Sequence, residues 1–358
     1  MPSLKEIKGR INSISSTLAI TSAMKMVAAA KLQKAQMAIQ NMLPYERRLH
    51  SMLIDLMGAM NISAAASEDG SVRGSGSAER GFDQSGDRLS LSNRHDLAGM
   101  DGAYSLMAQR EVRKVAIVAF ASNSSLCGAF NSNVIREATA VINEYRASGL
   151  GDADITVYSV GRKMAEAMKK LGFPSPADFT KMSDSPSYDA ASALAQELLD
   201  GFVSGRFDKV ELVYNHYKST SSQPTIRQTY LPLSLADATA DLQAGKIADS
   251  ASESDTNRGA EPVGAPVVRQ GSPTTEDLIV EPSKEALIAT LLPKVVRLRI
   301  FTTLLDSTAA EQAARTVAMQ LATDNGNDLL QELTLEYNKG RQQKITSEIL
   351  DLVGGSMQ

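Results

Sequence analysis

Residues 3–43 read SLKEIKGRINSISSTLAITSAMKMVAAAKLQKAQMAIQNML, and the spacing of their apolar side chains decides the architecture. Leu4, Ile7, Ile11, Ile14, Leu18, Thr21, Met24, Ala28, Leu32, Ala35, Ile39 and Met42 follow one another in steps of three and four. The mean step is about 3.5 residues, the period that keeps one stripe of a helix against a partner helix. Ser3 stands where a helix N-cap is expected, and Glu6 three positions on completes a capping-box signature. No proline interrupts the stretch. Pro44 predicts a bend, after which Leu49, Met52, Leu53, Leu56 and Met57 carry the pattern on.

The other end of the chain answers this one. A second helix is expected from about Ser283-Lys284-Glu285, with Pro293 near its start and no proline from 294 to 358. Its apolar positions are Val295, Leu298, Leu305, Ala310, Ala314, Val317, Leu321, Leu330, Leu333, Tyr337, Ile345, Ile349 and Leu352. Polar residues interrupt them, so the period is looser. At 1.5 Å per residue the two helices would be about 80 Å and about 100 Å long. Neither buries its stripe alone, and the arrangement expected is an antiparallel coiled coil with a globular body at one end.

Between them lies an α/β pattern. Lys114–Phe120, Asp154–Val160 and Lys209–Asn215 read as buried strands, with Thr225–Leu233 as a fourth. Helices are expected over Asn131–Ser148, Arg162–Leu171 and Asp189–Ser204. Strands alternating with helices predict a small, mostly parallel, Rossmann-like sheet. The fold class is thus α/β: a small Rossmann-like domain plus a long antiparallel pair of terminal helices. The parts expected are 1–60 (first helix), 61–110 (Ser/Gly-rich insertion and linker), 111–235 (α/β domain), 236–282 (flexible insertion) and 283–358 (second helix). Residues 67–102 hold seven serines and seven glycines, and 237–276 are similarly polar. Such composition buries too little apolar surface to offset ordering entropy, so both segments read as loops.

Composition narrows the function. The 358 residues contain 46 alanines and 15 methionines but only 17 aromatics and no tryptophan, which suits slender helical packing. The net charge of −4 argues against a dedicated nucleic-acid binder, yet residues 1–50 alone carry eight Lys/Arg against two Glu. Lys25, Lys31 and Lys34 could therefore be a solvated face or a docking stripe for an acidic partner. The single Cys127 and three scattered histidines offer neither a disulfide framework nor a zinc site. No apolar run approaches the roughly 20 residues that span a bilayer, and the N-terminus does not read as a signal peptide. The turn Ser122-Asn123-Ser124-Ser125-Leu126-Cys127-Gly128 after the first strand has neither phosphate-loop glycine spacing, so it reads as a structural turn and Cys127 as a packed thiol. Glu332, Glu336, Arg341, Glu348 and Asp351 make helical i, i+3 and i, i+4 neighbours, the ordinary pattern of a solvated face. No catalytic constellation and no cofactor motif is visible.

Several segments resemble the gamma subunit family of F-type ATP synthases. They are Leu4–Ile11, Ile20–Leu32, Ala313–Met319, Ala322–Asn325, Leu333–Gln342 and Ile345–Ile349, with Leu126–Asn131, Val160–Lys163, Leu231–Leu233 and Glu281-Pro282 between. The resemblance implies a noncatalytic rotor shaft, one copy inside a hexamer of alternating alpha and beta subunits. Its body would stand beside epsilon on the membrane ring of c subunits, at the cytoplasmic face of a bacterial inner membrane. Proton-driven rotation of the ring would turn the shaft and drive the beta sites through ATP synthesis. By position, the resemblance implies that Met24 and Lys25 meet the acidic lever of beta, and that Arg341 and Gln342 meet its catch loop. Arg315, Thr346, Glu348 and Asp351 would couple the two helices or touch the hexamer, and Leu352–Gln358 would turn in an apolar bearing. Ser22 stands where the family commonly has lysine, Ser122–Ser125 where it has a charged residue and glycine, and Thr316 where methionine is frequent. Against this reading stand a separate nucleotide-binding α/β protein with coiled-coil arms, and a symmetric coiled-coil scaffold.

Overall fold

The computed structural model describes residues 3–59, 106–107, 109–233 and 284–356. The insertions expected at 67–102 and 237–276 lie outside the described residues.

The first helix, α1 (Leu4–Ala59), begins as its sequence dictates. Ser3 Oγ accepts from the Glu6 N–H at 3.2 Å, satisfying one orphan donor of the first turn. The Glu6 carboxylate takes Arg10 at 3.1 Å. All twelve positions of the 3.5-residue stripe are buried or half-buried, while most residues between them are exposed. The bend expected at Pro44 does not interrupt the helix. Pro44 is exposed, and so is Gln40, whose carbonyl loses its helical donor there and faces water instead.

Among the described residues four strands follow: β1 (Val115–Phe120), β2 (Ile155–Val160), β3 (Lys209–Asn215) and β4 (Thr225–Leu231). Between them run α2 (Phe130–Ala147), α3 (Arg162–Lys170), a short α4 (Thr180–Asp184) and α5 (Tyr188–Val203). The strand order is β2-β1-β3-β4. β1 pairs parallel with both β2 and β3, and β4 closes the edge antiparallel to β3. Strand alternation sorts β1 onto two cores. Val115, Ile117 and Ala119 pack with Val134, Ile142, Met164 and Met168 of α2 and α3. Ala116, Val118 and Phe120 pack with Leu194, Leu198 and Phe202 of α5. Glu211, in the middle of β3, is 1% exposed. It is held by Tyr145 Oη at 2.6 Å, Arg227 Nε at 2.7 Å and Lys209 Nζ at 2.7 Å. Burial opposes its charge, but these donors keep the carboxyl below its ordinary range.

The last helix, α6 (Lys284–Ser356), spans 73 residues, about 110 Å. It runs antiparallel to α1, because each advance along one is matched by a retreat along the other. Thr302 Oγ1 bonds Glu46 at 3.1 Å, Thr323 Oγ1 bonds Thr21 at 3.2 Å, and a Cβ on Gly340 would lie 3.1 Å from Leu4. Its surroundings change along its length. Ile288, Leu292, Val295, Val296, Leu298, Ile300 and Leu304 join the same core as α5 and the α1 residues Leu49, Leu53 and Leu56. From there to Met319 the helix is buried on most sides, and beyond it, among the described residues, α1 alone covers it. The seam of this outer part is Met319, Thr323, Gly326, Leu330, Leu333, Tyr337 and Gly340. Leu321, expected on it, is 58% exposed, because a seam built on threonine and glycine is invisible to a count of apolar letters. Ile345, Ile349 and Leu352 are exposed for a different reason: α6 continues past Leu4, where its partner begins.

Candidate partner interface along the shaft

In open α/β sheets ligands bind beyond the strand C-termini, where the strand order reverses. Here that point lies between β1 and β3, and the chain fills it with its own residues. Ser122 N–H and Oγ both donate to Asn131 Oδ1 at 3.0 Å, so the turn after β1 is tied to the first turn of α2. Leu126 and Gly128 take positive φ (71° and 59°) to close it. Cys127, 1% exposed, packs with Phe130 and Ala310 of α6. Asn123 spans to the neighbouring unit: Oδ1 accepts from the Arg162 N–H at 2.8 Å at the start of α3, and Nδ2 donates to Thr180 O at 2.7 Å. The side chains of the turn thus tie α2, α3 and Thr180 to the end of β1. Among the described residues no group of three or more His, Cys, Asp and Glu could hold a metal ion.

Two polar clamps fix the rod to this body. Arg315 Nη2 donates to Glu311 Oε1 and to Ser124 Oγ, both at 2.7 Å. Arg315 and Glu311 are 8% and 7% exposed, and burial holds the Glu311 carboxyl above its ordinary range against the pull of Arg315. The second clamp is Asp306, which accepts from the Tyr217 N–H at 2.9 Å and lies 2.6 Å from His216 Nδ1. Tyr217 reaches on to α1, where Gln36 Nε2 donates to its hydroxyl at 2.7 Å. The hydrogen bond to Asp306 raises the His216 pKa, against the effect of burial. Asp306, His216, Tyr217 and Glu311 carried no signal in the sequence, because their partners are supplied by the fold and not by spacing.

The residues singled out by position fall in three places. Arg315 is in the clamp at the body, turned inward. Met24 and Lys25 are half-buried midway along the shaft, where Lys25 Nζ bonds Gln320 Oε1 across the helix pair. Arg341, Gln342, Thr346 and Glu348 are exposed on the last turns of α6. Among the described residues their bonds lie within α6: Thr346 Oγ1 donates to Gln342 O at 2.9 Å, and Lys344 lies 3.7 Å from Glu348. The side chain of Asp351 lies outside the described residues. Lys31 and Lys34 are exposed on the same helix as Ile20, Met26 and Val27, which are 57–66% exposed. The outer shaft therefore offers a mixed basic and apolar surface, and the tip adds Ile345, Ile349, Leu350, Leu352 and Val353. Uncovered apolar area on this scale marks a surface made for contact. No described helix is long and apolar enough to cross a membrane.

Comparison with known proteins gives a consistent result. A family model described as ATP synthase matches residues 3–357. The ATP synthase gamma chain of Phocaeicola vulgatus is 46% identical over 357 residues, covering 100% of both chains. That of Bacteroides thetaiotaomicron is 45% identical over 358 residues, again covering 100% of each. Among solved structures, a chain of the Euglena gracilis mitochondrial ATP synthase, from its OSCP/F1/c-ring in rotational state 3, matches with a TM-score of 0.52 at 18% identity. That match covers 99% of this chain and 93% of the other, and it bears on the fold alone.

Proposed function

The chain belongs to the ATP synthase gamma-chain family, and from that premise we propose how its parts divide the work of the central shaft. The shaft role itself follows from the family. In our reading the chain is noncatalytic, present once per hexamer of alpha and beta subunits, and turned from below by the c ring with epsilon at its side. Residues 111–235 form the body that receives the torque, and 1–60 with 283–358 form the rod that delivers it. It would work as a peripheral component at the cytoplasmic face of the inner membrane, driven by proton flow.

The observation that carries this reading is the combination of a filled ligand crevice with an unfinished rod. A nucleotide-binding adaptor would keep the space beyond β1 and β3 open, whereas Cys127, Phe130 and Ala310 occupy it. A symmetric coiled-coil scaffold would need a second copy to cover the seam of α1, whereas α6 of the same chain covers it. What is left uncovered is the outer flank with Lys31, Lys34, Met26 and Val27 and the unpaired end of α6. In a hexamer cavity the basic flank would meet the acidic lever of beta near Met24 and Lys25. Arg341 and Gln342 would reach its catch loop, and Thr346, Glu348 and Asp351 would lie along the surrounding wall. Arg315 serves inside the chain, holding the rod to the body.

Co-expression with the alpha and beta subunits tests the reading. One copy per hexamer and ATPase activity that depends on the chain are the expected results. Failure to co-purify, or activity indifferent to its presence, would sink the idea. Arg341→Ala combined with Gln342→Ala should lower coupled turnover while leaving the melting temperature of the chain unchanged, since both side chains are exposed. Undiminished ATP synthesis by that double variant would refute the carried contact.

A further inference from the structure

α1 is gripped at two places and slack between them. Its body end is anchored by Leu49, Leu53 and Leu56, which join the core shared with α5 and the first part of α6. Farther out, Leu32 and Ala35 pack on Ala309 and Ala313 in a small cluster of their own. From Gln36 to Arg48 no residue of α1 is fully buried. Polar ties hold the two ends of that span, Gln36 to Tyr217 at 2.7 Å and Glu46 to Thr302 at 3.1 Å. α6 has no such slack at the same level, where Arg299, Ile300, Thr303, Leu304, Leu305 and Ser307 are all buried.

Two further features coincide with the span. Pro44 stands inside it, so the Gln40 carbonyl has no helical donor and is crowded by the proline ring. Sharp bends in helices arise at such positions. A cavity of about 550 Å³ runs alongside, bounded by Ile39, Met42 and Leu43 of α1 and by Thr303 and Leu305 of α6. Packed interiors hold few voids larger than a water molecule, so a space of this size leaves one flank of the helix without a wall. A helix that lacks a backbone bond, a buried side chain and a packed neighbour within the same few turns resists bending least there. Ile39, Met42 and Leu43 are only half-buried, so bending inward covers more of them and favours motion toward the cavity over motion away from it.

We propose that Gln40–Pro44 is a hinge in α1. The body end of the helix stays fixed with α6, the span from 36 to 48 flexes into the cavity, and the outer length of α1 changes its tilt against the body. The joint lies between the body and the flank with Lys31 and Lys34, so a partner pressing on that flank can displace it without unseating α6. It rests on the packing of the chain alone and does not depend on what surrounds the shaft.

Hydrogen exchange of the purified full-length chain, read by mass spectrometry, tests the hinge. Amides of 36–48 should exchange about tenfold or more faster than those of 49–56. Pro44→Ala restores the missing backbone bond at an exposed site, and should slow exchange over 36–48 by about fivefold or more. Leu43→Trp keeps the proline but fills the cavity, and should slow the same amides because the span then has nowhere to go. A helix weakened by proline without moving into the cavity would leave Leu43→Trp exchanging like wild type. That result overturns the proposal, as does equal protection of 36–48 and 49–56 in the wild-type chain. So does a Pro44→Ala variant that exchanges no more slowly than wild type. Because Pro44 is exposed, its replacement does not threaten the fold, and that variant carries the decision.

Discussion

Arg315 shows how a single residue changes meaning between sequence and fold. In the sequence it is one cation on a long helix; in the structure it is the buried partner of Glu311 and reaches Ser124, 191 residues away. Removing it strands a carboxyl that burial already disfavours. Arg315→Ala should therefore cost about 3–5 kcal/mol in urea unfolding. Converting Glu311→Gln as well should return part of that loss, a coupling readable in a double-mutant cycle. The two histidines at the junction should shape the pH dependence in opposite senses. His50 stays neutral in the fold down to about pH 4 while the unfolded chain takes up its proton near 6.5, so stability should fall as pH drops through that window, by on the order of 3 kcal/mol. His216 is raised by Asp306, so its contribution is complete below about 6.5 and is lost as pH climbs through its folded value. Melting temperatures from pH 4 to 8 should peak between these slopes. His50→Phe should flatten the acid limb, and Asp306→Asn the alkaline one. None of these roles was legible beforehand, since the pairings span 90 residues or more for His216 with Asp306 and for Arg315 with Ser124.

Among the elements, legibility followed how simple the surroundings were. The stripe of α1 could be read almost residue by residue because the helix has one partner along one side for most of its length. The three parallel strands were legible because nearly all their residues are buried: β1 reads as an unbroken apolar run, and β2 and β3 as short β-branched and aromatic runs with few polar positions. α4 was missed, being five residues long. The outer seam of α6 was misread at Leu321 because Gly326 does the work there. A Cβ on Gly326 would lie 2.6 Å from Leu18 Cδ2, so the helices approach closely at that level. Gly326→Leu should overpack the seam and cost about 1–3 kcal/mol. Leu18→Ala in the same chain should cost less in that background than alone, because it vacates the volume the new leucine needs. Additive losses in denaturant midpoints would show that the two positions do not touch.

On the scale of the whole molecule, the sequence established a rod with a body, since two long proline-poor helices cannot each fold alone. It did not reveal that α6 also serves as a layer of the α/β core. That double membership explains why the first part of α6 has no clean period: the sheet, α5 and α1 all claim its faces. The tip obeys other constraints. Leu352 is 74% exposed, so Leu352→Asp should shift the stability of the chain alone by no more than about 0.5 kcal/mol. If the tip turns in an apolar bearing, as the family resemblance implies, the same change should slow ATPase turnover in the assembled complex, because a charge would enter that bearing. Equal turnover with Leu352→Asp would show that the tip turns in a wet space.

The antiparallel pairing also bears on how the chain is made. Residues that meet near the tip, such as Leu4 and Gly340, are separated by nearly the whole sequence. Translation at roughly 5–20 residues per second leaves the stripe of α1 without its mate for on the order of half a minute. During that interval the body between them can fold, but the first helix must wait with its apolar edge open. The joining of the two helices is thus among the last events of folding, it closes the longest loop in the molecule, and it is the stage at which a nascent chain is most exposed to aggregation.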